Sequence, residues 1–182
     1  MNRSLWTALL GLPALTSAAA PAQAVDYLDL DQAQRAVVPG ASSFAAFAVT
    51  LTPDQLKQIK AIAHVPQRAT KPRVWKAMAG GRQTGWVIVD EVIGKHEMIT
   101  YATGIAMDGH VLGVEIMSYR ESKGDQVRNP KWRGLFRGKT VRDAFKLNQD
   151  IPNISGATLS CRNLTDGVKR LLALHQVALA KA

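Results

Sequence analysis

Residues 98–119 read MITYATGIAMDGHVLGVEIMSY. Two runs rich in Val, Ile and Tyr, Met98–Met107 and Val111–Tyr119, flank the dipeptide Asp108-Gly109. Such runs are typical of β-strands, and Asp-Gly between them is a strong hairpin signal because both residues tolerate the positive φ angles of a tight turn. We therefore predict an antiparallel hairpin at the centre of the fold.

The residues before this hairpin continue the β pattern. Val74–Met78 and Gly85–Val92 are again rich in β-branched and aromatic residues, and turn-forming residues separate the runs. Four consecutive short strands joined by tight turns predict an antiparallel β-meander.

Helical patterns lie on both sides of the meander. Asp29–Val38 has a weak helical pattern that ends at Pro39-Gly40, and Thr52-Pro53-Asp54-Gln55 has the form of a capping box for a helix through about Ala63. Asn163–Ala180 places apolar residues at helical spacing. The predicted fold class is α+β: an antiparallel β-meander with an N-terminal helical lead-in and a C-terminal helix packed on the sheet.

The first residues have the pattern of a secretory signal peptide. Arg3 is the positive n-region, Leu5–Ala20 is apolar, and Ala22-Gln23-Ala24 fits the small-x-small cleavage pattern. We predict cleavage after Ala24 and a periplasmic or otherwise exported protein. The chain then divides into residues 1–24 (signal peptide), 25–72 (N-terminal helical segment) and 73–182 (main domain).

The chain is basic, with a formal net charge of +9. Removal of residues 1–24 takes away Arg3 and no acid, which leaves +8. Anionic lipid, an acidic partner and a phosphate-bearing ligand all remain open at this point. Nucleic acid is not expected, because the cations are scattered and no basic run has interleaved aromatics. One cysteine, Cys161, cannot form an internal disulfide, and the four histidines lack the close spacing of metal ligands.

The sequence Ser155-Gly156-Ala157-Thr158 precedes the C-terminal helix and has two interpretations. One is local: Ser155, Thr158 or Ser160 caps the helix by accepting a backbone N–H bond. The other is functional: a hydroxyl at a helix start is a suitable anchor for a phosphate ester, because unpaired N–H groups and the helix dipole stabilise negative charge there. The four residues alone do not choose between the two.

The longer stretch Asp150–Ser160, DIPNISGATLS, resembles the flavinylation motif of the FMN-binding domain family. In that family a flavin transferase links FMN to the motif's threonine through a phosphoester. The resemblance extends over residues 84–172 and includes Gly94–Ile105, the Asp108-Gly109 hairpin and the segment from Trp132 to Thr140. It implies covalent FMN on Thr158.

The resemblance also implies which residues surround the flavin. The cofactor-binding residues expected beside Thr158 are Ser155, Gly156, Ala157, Leu159, Ser160, Glu121, Ser122, Lys123, Gly124, Tyr119, Trp132 and Lys139. Lys123 stands where larger members often have proline, and Pro152 where the motif often has an acid. Lys123, Lys139, Arg128 and Arg133 are candidate cations for tuning the flavin. Tyr119 and Trp132 are candidates for stacking on the ring or for the core.

The function that this resemblance implies is an exported electron-transfer flavoprotein. Its expected partners are a flavin transferase for maturation and an electron donor and acceptor, membrane-bound or soluble. We expect an electron carrier or redox subunit, with no catalytic residue and no metal. Two alternatives stay open: a non-redox binding or sensing module of the same fold at the membrane surface, and a reductase acting on a small substrate.

Overall fold

The computed structural model describes residues 25–121 and 124–182. The predicted signal peptide, residues 1–24, and the site candidates Ser122 and Lys123 lie outside the described residues. The strands are Val25–Asp26 (β1), Ser43–Phe47 (β2), Arg73–Ala79 (β3), Arg82–Ile93 (β4), Met98–Ala106 (β5) and Val111–Tyr119 (β6). The α-helices are Leu30–Val37 (α1), Pro53–Ala63 (α2), Pro130–Gly134 (α3) and Thr158–Leu174 (α4). A 3₁₀ turn, Asp125–Arg128, precedes α3, and a π-helical turn, His175–Leu179, follows α4.

The predicted meander is confirmed. The six strands form one sheet in the order β1-β6-β5-β4-β3-β2, and every neighbouring pair is antiparallel. At the β5–β6 turn Gly109 has a φ of 91°, and the Ala106 N–H donates to the carbonyl of His110 at 2.9 Å. Asp108-Gly109 therefore forms the tight turn that the sequence indicates.

The N-terminal segment contains both predicted helices and two strands that the sequence analysis missed. Asp29 and Thr52 cap α1 and α2 with complete capping boxes. Between these helices, β2 pairs with β3 along one edge of the sheet, while β1 pairs with β6 along the other edge. Edge strands of two and five residues are too short for a periodic signal, and pairing with the meander is what fixes them.

Helices cover both faces of the sheet. The side chains of β4 alternate: Trp86 and Ile88 join the core beneath α4 and α2, whereas Val87 and Val89 join the smaller core beneath α1. Successive side chains of a strand point to opposite faces, so the continuous run of buried residues in β4 shows that the strand is covered on both faces. The predicted packing of the C-terminal helix on the sheet is confirmed.

The described residues contain no helix that is long and apolar enough to cross a membrane.

A buried ion pair fixes α4 to the sheet. The Arg170 guanidinium donates to the Asp90 carboxylate at 2.5 Å, and the Tyr101 hydroxyl donates to the same carboxylate at 3.2 Å. Burial, followed by the charge of Asp90, raises the pKa of Tyr101 well above its usual value. Gly167 lies against this group: a Cβ there would come within 2.5 Å of the Tyr101 hydroxyl oxygen and 2.9 Å of Val92 Cγ1.

The close contact at Gly167 predicts a packing penalty. We expect Gly167→Ala to lower the free energy of unfolding by about 1–3 kcal/mol, because the new methyl group must displace Tyr101 or α4. Gly134→Ala is the matched control, since a Cβ at Gly134 meets nothing within 4 Å. Urea unfolding followed by circular dichroism measures both variants. Equal midpoints for the two variants would show that α4 is not held tightly at this point.

His175, at the end of α4, has a distinct response to acid. Its side chain is 3% exposed, and within the described part of the chain its Nε2 has no hydrogen-bond partner. Burial lowers the pKa of His175 below its usual 6.5, and the charge of Asp108 only partly opposes this. The folded protein therefore keeps His175 neutral at pH values where the unfolded chain binds a proton.

A histidine with a lowered folded-state pKa contributes stability above pH 6.5 that is lost as the pH falls below that value. Between pH 7.5 and 5.5 we expect the free energy of unfolding of His175→Gln to fall by less than that of the wild type. The control is His64→Asn, which removes an exposed histidine at a left-handed position that Asn tolerates. Urea titrations at several pH values test this, and parallel pH profiles for wild type and His175→Gln would contradict it.

Candidate functional site

A cavity of about 430 Å³ lies between the start of α4 and the turn that joins β4 to β5. Its volume is within the range of small-molecule and cofactor sites. The lining residues are Lys95, His96, Glu121, Gly156, Ala157, Thr158, Leu159 and Ser160. Six of the residues that the resemblance implies are therefore brought together at one place: Glu121 and the five consecutive residues 156–160.

The start of α4 is not capped by a side chain. Ala157 is the N-cap residue, and no described side chain accepts a hydrogen bond from the first turn at the cap. The hydroxyls proposed as caps are used otherwise: Thr158 Oγ1 accepts from the Asn153 side-chain amide at 3.1 Å, and Ser160 Oγ lies 3.2 Å from the Tyr119 hydroxyl. The local capping interpretation is thus wrong for Thr158 and Ser160. The first three residues of this 17-residue helix line the cavity, and N–H groups in the first turn of a helix have no partner within the helix.

The loop before α4 leaves Thr158 accessible. Gly156 has a φ of 82°, and a Cβ at this position would meet nothing within 4 Å. The Ala157 N–H donates to the Ile154 carbonyl at 3.0 Å, which closes the turn and buries Ala157. Ser155, Gly156, Thr158 and Leu159 are all exposed. A bulky group attached to the Thr158 hydroxyl meets open space on this side.

Gly124 and Tyr119 form the layer beneath the motif. Gly124 has a φ of 88°, and a Cβ there would lie 2.7 Å from the Tyr119 hydroxyl oxygen and 3.1 Å from Ala157 Cβ. Tyr119 is 2% exposed, and burial raises the pKa of its phenol. Tyr119 therefore supports the loop from below and does not line the cavity as a stacking surface.

Trp132 has a comparable supporting role. Its indole N–H donates to the Pro152 carbonyl at 2.8 Å, and its ring meets Phe136 edge to face with centroids 5.2 Å apart. The side chain is 5% exposed. Of the two roles proposed from the sequence, the structure assigns Trp132 to the core, where it fixes the loop that contains Pro152.

Lys139 and Asp150 form an ion pair away from the cavity lining. Lys139 Nζ lies 3.0 Å from Asp150, whose carboxylate also accepts from the N–H groups of Phe145 and Lys146 at 2.9 and 2.7 Å. Partial burial raises the pKa of Asp150, but these three hydrogen bonds outweigh it and hold the pKa below its usual value. The acid at the start of the motif thus builds the turn that precedes the motif.

The other candidate cations also have partners outside the cavity. The Arg128 guanidinium lies 3.2 Å from the centroid of the Tyr27 ring. Arg133 pairs with Glu115 and donates to the Val114 carbonyl.

Cys161 is fully buried, and burial raises the pKa of its thiol, as expected for an inert cysteine.

Glu121 fixes the turn between β4 and β5, whose residues are not among the cofactor-binding residues expected from the sequence. Its carboxylate accepts hydrogen bonds from the backbone N–H groups of His96 and Glu97 in the β4–β5 turn. Gly94 makes room for this contact, since a Cβ there would lie 2.5 Å from Glu121 Oε1. Burial raises the pKa of Glu121, but the N–H groups of the turn outweigh it and lower the pKa overall. A charged Glu121 therefore fixes Lys95 and His96 as the second wall of the cavity.

Lys95 and His96 are not among the site residues expected from the sequence, although both line the cavity. The topology of the predicted meander could have indicated these residues. In an antiparallel sheet, β4 and β6 end on the side where β5 begins. Residues of the β4–β5 turn and residues just after β6 must therefore be neighbours.

An uncapped helix start, an accessible hydroxyl and a cofactor-sized cavity are features that suit a phosphate-bearing cofactor. Residues 94–173 match the family model of the FMN-binding domain. The match contains the β4–β5 turn, Glu121 and the motif around Thr158, so the resemblance drawn from the sequence is confirmed.

Comparison with solved structures finds the crystal structure of Shewanella oneidensis NqrC. The two chains are 19% identical, the match covers 85% of this chain and 79% of that chain, and the TM-score is 0.47. No curated protein matches the chain.

The turn built on Asp150 predicts a loss of stability on neutralisation. We expect Asp150→Asn to lower the free energy of unfolding by about 1–3 kcal/mol, because an amide is a weaker acceptor and leaves Lys139 without its counter-charge. Asp125→Asn is the matched control, since Asp125 is exposed at the start of a 3₁₀ turn, and we expect a change within about 0.5 kcal/mol. Urea unfolding at pH 7 measures both, and equal losses would contradict a structural role for Asp150.

Proposed function

We propose that this protein is an exported electron-transfer flavoprotein that carries FMN bound covalently to Thr158 through a phosphoester. The observation that carries the proposal is the position of Thr158. It is the first residue of α4, it is exposed, and it lines a cavity at an uncapped helix start. A phosphodiester on its Oγ1 would place its negative charge where the N–H groups and the dipole of the helix favour an anion.

The residues around Thr158 fit a phosphate-linked group. Asn153 holds the Thr158 hydroxyl from one side through its side-chain amide. Gly156 leaves the approach open, and Gly124 lets the chain pass close beneath Ala157. A flavin transferase must also reach the hydroxyl, which the exposure of Ser155, Gly156 and Thr158 supports.

FMN, when bound, supplies reversible electron transfer, and the protein's part is to hold it and set the surrounding charge. An exported protein benefits from a covalent link, because a cofactor that dissociates outside the cell is diluted away. The signal-peptide pattern of residues 1–24 supports export. We further propose an electron donor and an electron acceptor, soluble or membrane-bound, that meet the flavin at the open cavity.

The attachment is tested by co-expression of the chain with a flavin transferase. We expect a yellow protein that keeps its flavin fluorescence on a denaturing gel and gains the mass of FMN minus water. Thr158→Val should remove the fluorescent band, because valine keeps the branched shape of threonine and lacks the hydroxyl. Thr50→Val, the same substitution at an exposed threonine that does not line the cavity, should keep it. Covalent flavin on Thr158→Val would contradict Thr158 as the anchor, and a colourless wild-type protein would contradict the function as a whole.

A mature N-terminus at Val25, measured by mass spectrometry of protein from the periplasm, tests the export part of the same proposal. Purified mature protein that begins at Met1 would contradict it.

A further inference from the structure

We propose that Lys95 is a cation that stabilises the reduced flavin in this protein, and that Glu121 positions Lys95 and opposes its charge. The inference rests on the proposed function, since it assigns roles to residues around a flavin on Thr158. It differs from the expectation from the sequence, which assigned charge tuning to cations nearer to the motif along the chain.

The geometry separates Lys95 from the other candidates. Within residues 25–121 and 124–182, the charged side chains that line the cavity are Lys95 and Glu121, with His96 as a third titratable group. Lys139 is paired with Asp150, and Arg133 with Glu115. Lys95 is exposed and extends from a turn directly opposite the start of α4.

The turn that carries Lys95 is held by the site itself. Glu121 follows β6 and accepts hydrogen bonds from the N–H groups of His96 and Glu97. Gly94 permits this approach because any larger residue would collide with the carboxylate. Since the pKa of Glu121 is lowered, the carboxylate is charged at neutral pH. Glu121 thus holds the turn that places Lys95 at the cavity, and its own carboxylate adds a negative charge beside Lys95.

Reduction changes the charge in this cavity. When a two-electron donor such as dithionite reduces the flavin and one proton is taken up, the ring system gains one net negative charge. A nearby cation favours that product and a nearby anion disfavours it. Lys95 should therefore raise the reduction potential of the flavin and Glu121 should lower it.

The opposite signs separate an effect of charge from a general loss of structure, because the carbonyl oxygen of Gln at position 121 can still accept the hydrogen bonds that hold the turn. Wild type, Lys95→Gln, Lys95→Arg and Glu121→Gln are co-expressed with a flavin transferase, matched by flavin absorbance and titrated with dithionite at pH 7 and low salt. At the wild-type midpoint we expect the oxidised-to-reduced ratio of Lys95→Gln to be three- to tenfold higher, about 15–30 mV in potential. Lys95→Arg should restore the wild-type value, and Glu121→Gln should shift the ratio in the other direction.

The matched control for the loss of one positive charge is Arg82→Gln. Arg82 is exposed and begins β4, whose twelve residues separate it from the β4–β5 turn by about 40 Å. Its titration should coincide with that of the wild type. The shift in Lys95→Gln should also shrink at high salt, because the cation is exposed.

Two results would overturn the inference: a Lys95→Gln titration that coincides with the wild type, or shifts of the same sign in Lys95→Gln and Glu121→Gln. If Lys95→Gln takes up no flavin, Glu121→Gln decides alone, and an unshifted potential overturns the proposal. A wild-type protein without flavin would instead contradict the proposed function, so the two failures are distinguishable.

Discussion

The ion pair between Asp90 and Arg170 is the interaction on which the rest of the site depends. It lies beneath α4, with the Tyr101 hydroxyl as a third member, and Gly167 brings the helix close enough for it to form. A buried ion pair contributes more to a unique arrangement than to net stability, because the desolvation of both charges offsets most of their attraction. Arg170 lies in the C-terminal half of α4, and because the helix is a single rigid element, fixing this half also restricts the position of its first residue, Thr158.

The cavity forms where three separate parts of the chain meet at one end of the strands β4, β5 and β6. The β4–β5 turn and the segment after β6 are neighbours because adjacent strands are antiparallel. Helix α4 begins at the same end of these strands. Glu121 connects two of these parts through backbone hydrogen bonds, and Trp132 holds the loop before α4 through the Pro152 carbonyl. Proline lacks an N–H but keeps its carbonyl, so Pro152 fulfils this structural role without an acidic side chain.

Local patterns predicted the elements of the fold, and contacts distant in sequence decided the details of the site. The Asp108-Gly109 turn and the capping box at Thr52 depend on neighbouring residues, and both form as predicted. Thr158 was found through a contiguous motif. The partners of Lys139 and the place of Lys95 depend on side chains that meet only after folding, and no spacing in the sequence encodes them. The edge strand β2 was missed for the same reason, since β3 supplies its hydrogen bonds.

The absence of a side-chain cap on α4 connects stability with function. Replacing a capping side chain typically costs about 1 kcal/mol, and hydroxyl residues at this position could have capped the helix. Among the described residues, Thr158 and Ser160 instead bond to Asn153 and Tyr119. The packed helix tolerates the loss because its core contacts and the Arg170 ion pair hold it in place. An anion attached at Thr158, as proposed, would satisfy the same N–H groups, and the cofactor phosphate would then take the position that a cap occupies in an ordinary helix.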